Sequence, residues 1–107
     1  MNYNKVIIGG RLTRDAELKF SANGMKITEF SIASTHKYGK NEETLFLDFT
    51  FFGDRGETIL PYLTKGKAIL VEGRLKLDRW EKNGVQQSKI VGVAEDIVFV
   101  NSGKREE

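Results

Sequence analysis

Leu45-Phe46-Leu47-Asp48-Phe49-Thr50-Phe51-Phe52-Gly53 is the stretch whose reading decides the fold. Its apolar and polar residues alternate with a period of two, so as a strand it has two chemically different faces. Leu45, Leu47, Phe49 and Phe51 form an apolar face suited to a core. Phe46, Asp48, Thr50 and Phe52 form the other, with two phenyl rings at the ends of a row whose middle is polar. Such rings suit flat apolar groups; at about 3.3 Å per residue they lie roughly 20 Å apart, too far to stack on one another.

Working outward, the flanks also read as strands and turns. Val6 to Leu12 predicts a first strand, with Val6, Ile8 and Leu12 on one face and Ile7 and Arg11 on the other; Gly9-Gly10 predicts a bulge or sharp bend within it. Leu18 to Phe20 is a short extended piece, Asn23-Gly24 a hairpin turn, and Lys26 to Ser34 a strand with Phe30 and Ile32 in the core. Thr35 to Thr44 reads as a mobile polar loop carrying Tyr38 and His36. Asp54 to Leu63 predicts one short helix, kinked or split near Pro61 and closed by Lys65-Gly66. Lys67 to Trp80 is the longest extended run: Ala68 to Val71 reads as buried on both faces, and Gly73 as a bend. Beyond it, Arg74, Lys76, Asp78 and Trp80 share a face opposite Leu75, Leu77 and Arg79; Asn83-Gly84 returns the chain as a hairpin arm through Val93, and Ile97 to Val100 closes the sheet.

Composition narrows the function. A chain of 107 residues with 39% hydrophobic content supports one core, giving a single domain over residues 1–100 and a short disordered tail at 101–107. Eleven glycines against one proline, with β-branched and aromatic residues throughout, indicate an all-β class. There is no cysteine and one histidine, so no disulfide, metal site or cofactor is expected. No apolar run is long enough for a bilayer, and the first residues lack a signal-peptide pattern, in keeping with a cytoplasmic address. His36 lacks catalytic partners and reads as a solvated histidine, so an enzyme is not expected.

The stronger signal is basic and aromatic, because single-stranded nucleic acid is held by rings beneath its bases and cations along its phosphates. Tyr38, Phe46, Phe52 and Trp80 are the candidate rings. Arg74, Lys76, Arg79, Lys82 and Lys89 face Asp78 and Glu81 on the arm, a local surplus of three charges where the whole chain carries +2. The plainer readings are burial of Phe46 and Phe52 at a subunit interface or under the loop, and packing of Trp80 across its own hairpin.

Asn4 to Ile7, Gly10-Arg11-Leu12-Thr13, Asn23-Gly24, Phe52-Gly53, Tyr62-Leu63, Lys65-Gly66, Val71 to Leu75 and Arg79-Trp80 stand in an order and spacing that resemble the bacterial single-stranded DNA-binding protein family. The resemblance implies a five-stranded Greek-key oligonucleotide-binding (OB) barrel with one short helix between its third and fourth strands and a protruding hairpin arm. It also implies binding of single-stranded DNA during replication, recombination and repair, and assembly as a homo-oligomer, a homotetramer or a dimer. By the same resemblance, bases stack on Tyr38, Phe46, Phe52 and Trp80, while Lys65, Lys76 and Arg79 align with basic positions of the DNA path; Arg11 and Arg74 complete the candidate set. Asp48 and Asp78 depart from the family pattern by standing where members carry arginine, and Leu47 replaces an interface histidine. The acidic tip through which members recruit replication and repair proteins is not found after Glu107. The alternative is an OB-fold module of a replication-restart (primosome) complex, with the same rings buried in a protein partner.

Overall fold

The structure is a computed structural model and describes residues 1–100; the tail expected at 101–107 lies outside the described residues. Six strands and one helical segment follow in the order β1 (Val6–Leu12), β2 (Glu17–Phe20), β3 (Lys26–Tyr38), β4 (Asn41–Phe52), α1 (Asp54–Ile59) with a 3-10 turn at Leu60–Tyr62, β5 (Ala68–Lys82) and β6 (Val85–Phe99). Within one sheet the order is β1-β5-β6-β4-β3-β2, and a β1–β3 pairing at Arg11↔Ala33 and Leu12↔Ile32 closes it. The closed circuit has five strands, with β2 added as a flap on β3. All pairings are antiparallel except β4 with β6. This is the OB barrel that the resemblance implies.

The alternation in β4 does what its pattern dictates: Leu47, Phe49 and Phe51 are buried, together with Phe30 and Ile32 from β3, Ile69 and Val71 from β5, and Ile97 from β6. Phe30 and Phe49 stack with ring centroids 5.4 Å apart. Leu45, the fourth member of the apolar face, is exposed. It lies where β3 and β4 run on beyond the barrel as a two-stranded ribbon, and no second layer covers it.

That ribbon corrects the loop expected at Thr35–Thr44. The β3–β4 ladder continues to Tyr38↔Asn41 and turns at Gly39, whose φ is 61°. The ribbon lacks apolar alternation, and its pairing is supported by a hydroxyl hydrogen bond between Thr35 and Thr44 (3.1 Å) and by Lys37 facing Glu42. Ala68–Val71 is not buried on both faces: Ile69 and Val71 point inward while Leu70 is partly exposed on the barrel's exterior near Ile7 and Val98. Nor is Ile97–Val100 a separate strand, because β6 runs unbroken from Val85 to Phe99.

Gly9 and Gly10 do not bulge; the β1–β5 register is continuous from Val6↔Gly73 to Arg11↔Ala68. Gly10 instead allows β3 to cross closely, since a Cβ there would sit 2.4 Å from the Ala33 carbonyl oxygen. The bend falls at Gly73, where the β5–β6 register shifts. Asn83 and Gly84 both take positive φ (53° and 78°), the conformation of a tight two-residue hairpin turn. Pro61 splits the helical segment by sitting in the first turn of the 3-10 helix, where no amide donor is required. Leu63 follows and plugs the core at 1% exposure.

Thr28 is fully buried, and its hydroxyl has no hydrogen-bond partner among the described residues. An unpaired buried hydroxyl costs about 1–3 kcal/mol of lost hydration. Thr28→Val is therefore expected to raise stability by about 1 kcal/mol, read as a higher urea midpoint with unchanged slope; a lower midpoint would show that the hydroxyl is satisfied.

Candidate nucleic-acid interface

Cross-strand register assigns each candidate side chain to a face. On β4 the row Phe46, Asp48, Thr50 and Phe52 points outward, paired with Ala33, Ser31, Glu29 and Ile27 of β3. The parallel pairing Thr50↔Val93 carries the same face onto β6, and Val93↔Arg74, Val91↔Lys76, Lys89↔Asp78 and Gln87↔Trp80 carry it onto β5. Phe46, Phe52, Arg74, Lys76 and Trp80 thus occupy one continuous outer surface, as the alternation of each strand implied separately. Arg11 joins it, because the pairs Arg11↔Ala33 and Ala33↔Phe46 set it two strands, about 10 Å, from Phe46.

Three candidates do not join it. Tyr38 has the opposite parity to Phe46 and stacks on His36 with ring centroids 5.7 Å apart, so its ring serves the other side of the ribbon. Arg79 shares the reverse face of the arm with Leu75 and Leu77. Lys65 belongs to the turn before β5, where its backbone amide donates to Asp15 Oδ1 (2.8 Å) and the neighbouring Gly66 carbonyl accepts from Arg11 (2.9 Å). His36, read from sequence as isolated, gains a ring partner; the signal was its two-residue spacing from Tyr38.

All four rings expose a large area: 46% for Tyr38, 68% for Phe46, 44% for Phe52 and 44% for Trp80. Burial beneath a loop is therefore excluded for Phe46 and Phe52, as is full packing of Trp80 across its hairpin.

Strands β4 and β6 pair only at Phe49↔Gly92 and Thr50↔Val93, and toward Asp48 and Val91 they part. The parting opens a cleft of about 300 Å³ on the outer surface, with Phe30, Phe49 and Val91 beneath it and Trp80, Asp78, Glu29 and Arg14 around it. Gly92 makes the junction possible, since a Cβ there would lie 2.2 Å from the Phe49 ring. The gap is spanned by an ion pair between Asp48 and Lys89, and Ser31 donates a second hydrogen bond to the Asp48 carboxylate. The Lys89 ammonium first and the Ser31 hydroxyl second hold the Asp48 carboxyl below the usual carboxylate range, so it is ionised at neutral pH. Lys76 lies 3.6 Å from Asp78. The cationic surplus of the arm is thus partly spent internally; Arg74, Arg79 and Lys82 make no ion pair among the described residues. Sequence counting included Lys89 as a free cation and gave Arg14 no role, because a connection residue offers no periodicity from which to place it. Among the described residues no cluster of His, Cys, Asp or Glu suits a metal ion, and no helix is long and apolar enough to cross a membrane.

Comparison with known proteins agrees with this fold. The single-strand binding protein family matches residues 3–100. A single-stranded DNA-binding protein of Treponema pallidum is 42% identical over 92% of this chain and 58% of its own length. One from Helicobacter hepaticus is 39% identical over 94% of this chain and 62% of its own length, and one from Aquifex aeolicus is 36% identical over 94% and 72%. The chain thus spans about three fifths of the length of the first two of these relatives. Among solved structures, Plasmodium falciparum SSB in complex with ssDNA superposes with a TM-score of 0.85 over 94% of this chain and 97% of its own, at 20% identity, which supports the fold. With the family matched across the whole barrel, the chain belongs to the single-strand binding protein family.

Proposed function

We propose that the protein binds single-stranded DNA with little sequence preference and without catalysis, covering it during replication, recombination and repair in the cytoplasm. The observation that carries this reading is the outer surface on which Phe46, Phe52 and Trp80 stand exposed, Trp80 at the edge of the cleft, with Arg11, Arg74 and Lys76 on the same face. Rings there stack on unpaired bases, which a duplex keeps covered, and the cations neutralise phosphates. Tyr38, Lys65 and Arg79, on neighbouring faces, extend the path if the strand wraps around the ribbon and the arm. Assembly as a homotetramer is part of the proposal, supported by the uncovered exterior side chains Ile7, Leu70 and Val98; light scattering of the purified protein gives the mass.

The test is Trp80 fluorescence, titrated with a thymine oligomer of about thirty nucleotides and with a duplex of equal length, at several salt concentrations. Quenching by the single strand alone, with a salt-dependent midpoint, is the expected result. Absence of quenching or competition even at low salt would favour the second reading, a primosome-type module whose rings bury in a protein.

Asp48 is expected to lower affinity, because it occupies Lys89 and adds a negative charge to the surface. Asp48→Asn should tighten binding by up to about 1 kcal/mol at low salt, the scale of an exposed ion pair. It should also steepen the dependence of log K on log salt by about one phosphate's worth. An unchanged slope would mean that Lys89 does not reach the strand.

A further inference from the structure

We infer that Arg14 is a phosphate contact at the cleft beside Trp80, holding the backbone of the strand whose base meets the indole; the inference rests on the single-strand-binding reading above. Arg14 lies in the connection between β1 and β2, and its exposed side chain lines the cleft together with Trp80. The connection is pinned on both sides of it. The Thr13 amide donates to the Ser31 carbonyl (3.0 Å), the Asp15 carboxylate accepts from the Lys65 amide (2.8 Å), and the Ala16 amide donates to the Leu63 carbonyl (2.9 Å). Because this backbone is already fixed, a ligand held by Arg14 requires no further ordering of the connection.

The charges around the cleft single out this residue. Each carboxylate in the lining has a lysine beside it: Glu29 is 2.8 Å from Lys19, Asp78 is 3.6 Å from Lys76, and Asp48 is paired with Lys89. Arg14 makes neither an ion pair nor a side-chain hydrogen bond among the described residues. The paired charges offset one another, so the uncommitted charge of the cleft is positive. Its ligand is therefore an anion, and the anion that a stacked base brings with it is its own phosphate. A guanidinium offers a planar fork of N–H donors that matches phosphate oxygens. Such a contact reads no base, in keeping with binding of any sequence.

The experiment titrates thymine and cytosine oligomers of equal length at pH 8 into the unmodified protein, Arg14→Gln, Asp48→Asn and the double variant. Trp80 fluorescence is followed from about 50 mM to about 1 M salt. Arg14→Gln is expected to reduce the slope of log K against log salt by about 0.7, the worth of one single-strand phosphate, which makes binding about eightfold weaker at the low-salt end. The loss should be equal for the two oligomers and should persist in the Asp48→Asn background. An unchanged slope or a loss confined to one oligomer would overturn the contact. So would a loss that disappears once Asp48 is neutral, since Arg14 would then act only by offsetting that carboxylate. If Arg14→Gln binds as the unmodified protein does at every salt concentration, the single-strand-binding reading stands and the phosphate contact falls. If the unmodified protein binds neither oligomer, both fall.

Discussion

Trp80→Ala weakens binding of a thymine oligomer by about 1–3 kcal/mol, roughly five- to 150-fold, if one base stacks on the indole. The ring is 44% exposed and stands on β5 opposite Gln87, outside the cluster of buried residues that forms the core. Its removal costs the barrel little; exposed positions away from special features change stability by about 0.5 kcal/mol or less. The two quantities separate cleanly in paired measurements. A filter-binding or anisotropy titration reads the loss of affinity, since the variant lacks its tryptophan reporter, and urea unfolding followed by circular dichroism reads stability. Undiminished affinity would remove Trp80 from the DNA path, and a large fall in stability would mean that the arm packs more tightly than its exposure indicates.

The second large effect lies on the same strand as Phe46 but on the other face. Phe49→Ala is expected to cost about 3–5 kcal/mol of folding stability, a large share of the roughly 5–15 kcal/mol available to a small domain. Phe49 is 1% exposed, stacks on Phe30 and lies against Gly92, so its ring is both the centre of the core and the floor of the cleft. Truncation leaves a cavity that neither the rigid β4–β6 junction nor the Phe30 ring can readily fill. Phe46→Ala, three residues away with 68% of its surface exposed, is expected to leave the urea midpoint nearly unchanged and to weaken DNA binding instead. Equal losses of stability in the two variants would contradict the assignment of faces.

The contrast between these two phenylalanines shows how much was legible in the chain. Period-two alternation alone separated Phe49 from Phe46 and Phe52, and arm residues Arg74, Lys76 and Trp80 from Leu75, Leu77 and Arg79, because in a strand parity is geometry. Turn chemistry was legible where asparagine precedes glycine, at Asn83-Gly84, and missed at Gly39, where the ribbon sets Thr35 against Thr44 and Lys37 against Glu42. The split at Pro61 was legible because a proline ring cannot sit in a helix interior. Leu45 was misplaced for the converse reason: alternation says which way a side chain points and nothing about whether another layer lies there.

Charge shows the same division. The surplus on the arm could be counted, yet its availability could not, since the Asp48–Lys89 pair joins residues on strands that meet only through the parallel crossing. By itself the sequence determined the all-β class, the faces of β1, β3, β4 and the arm of β5, and the row that carries Phe46 and Phe52, because these follow from local backbone geometry and turn preferences. The tertiary structure alone decided that the Phe46–Phe52 row and the Trp80 arm share one surface, that Tyr38 and Arg79 lie off it, and that a cleft opens between β4 and β6. Those outcomes depend on strand order and barrel closure, which bring together residues as distant in the chain as Arg14 and Lys89 through contacts that no local pattern encodes.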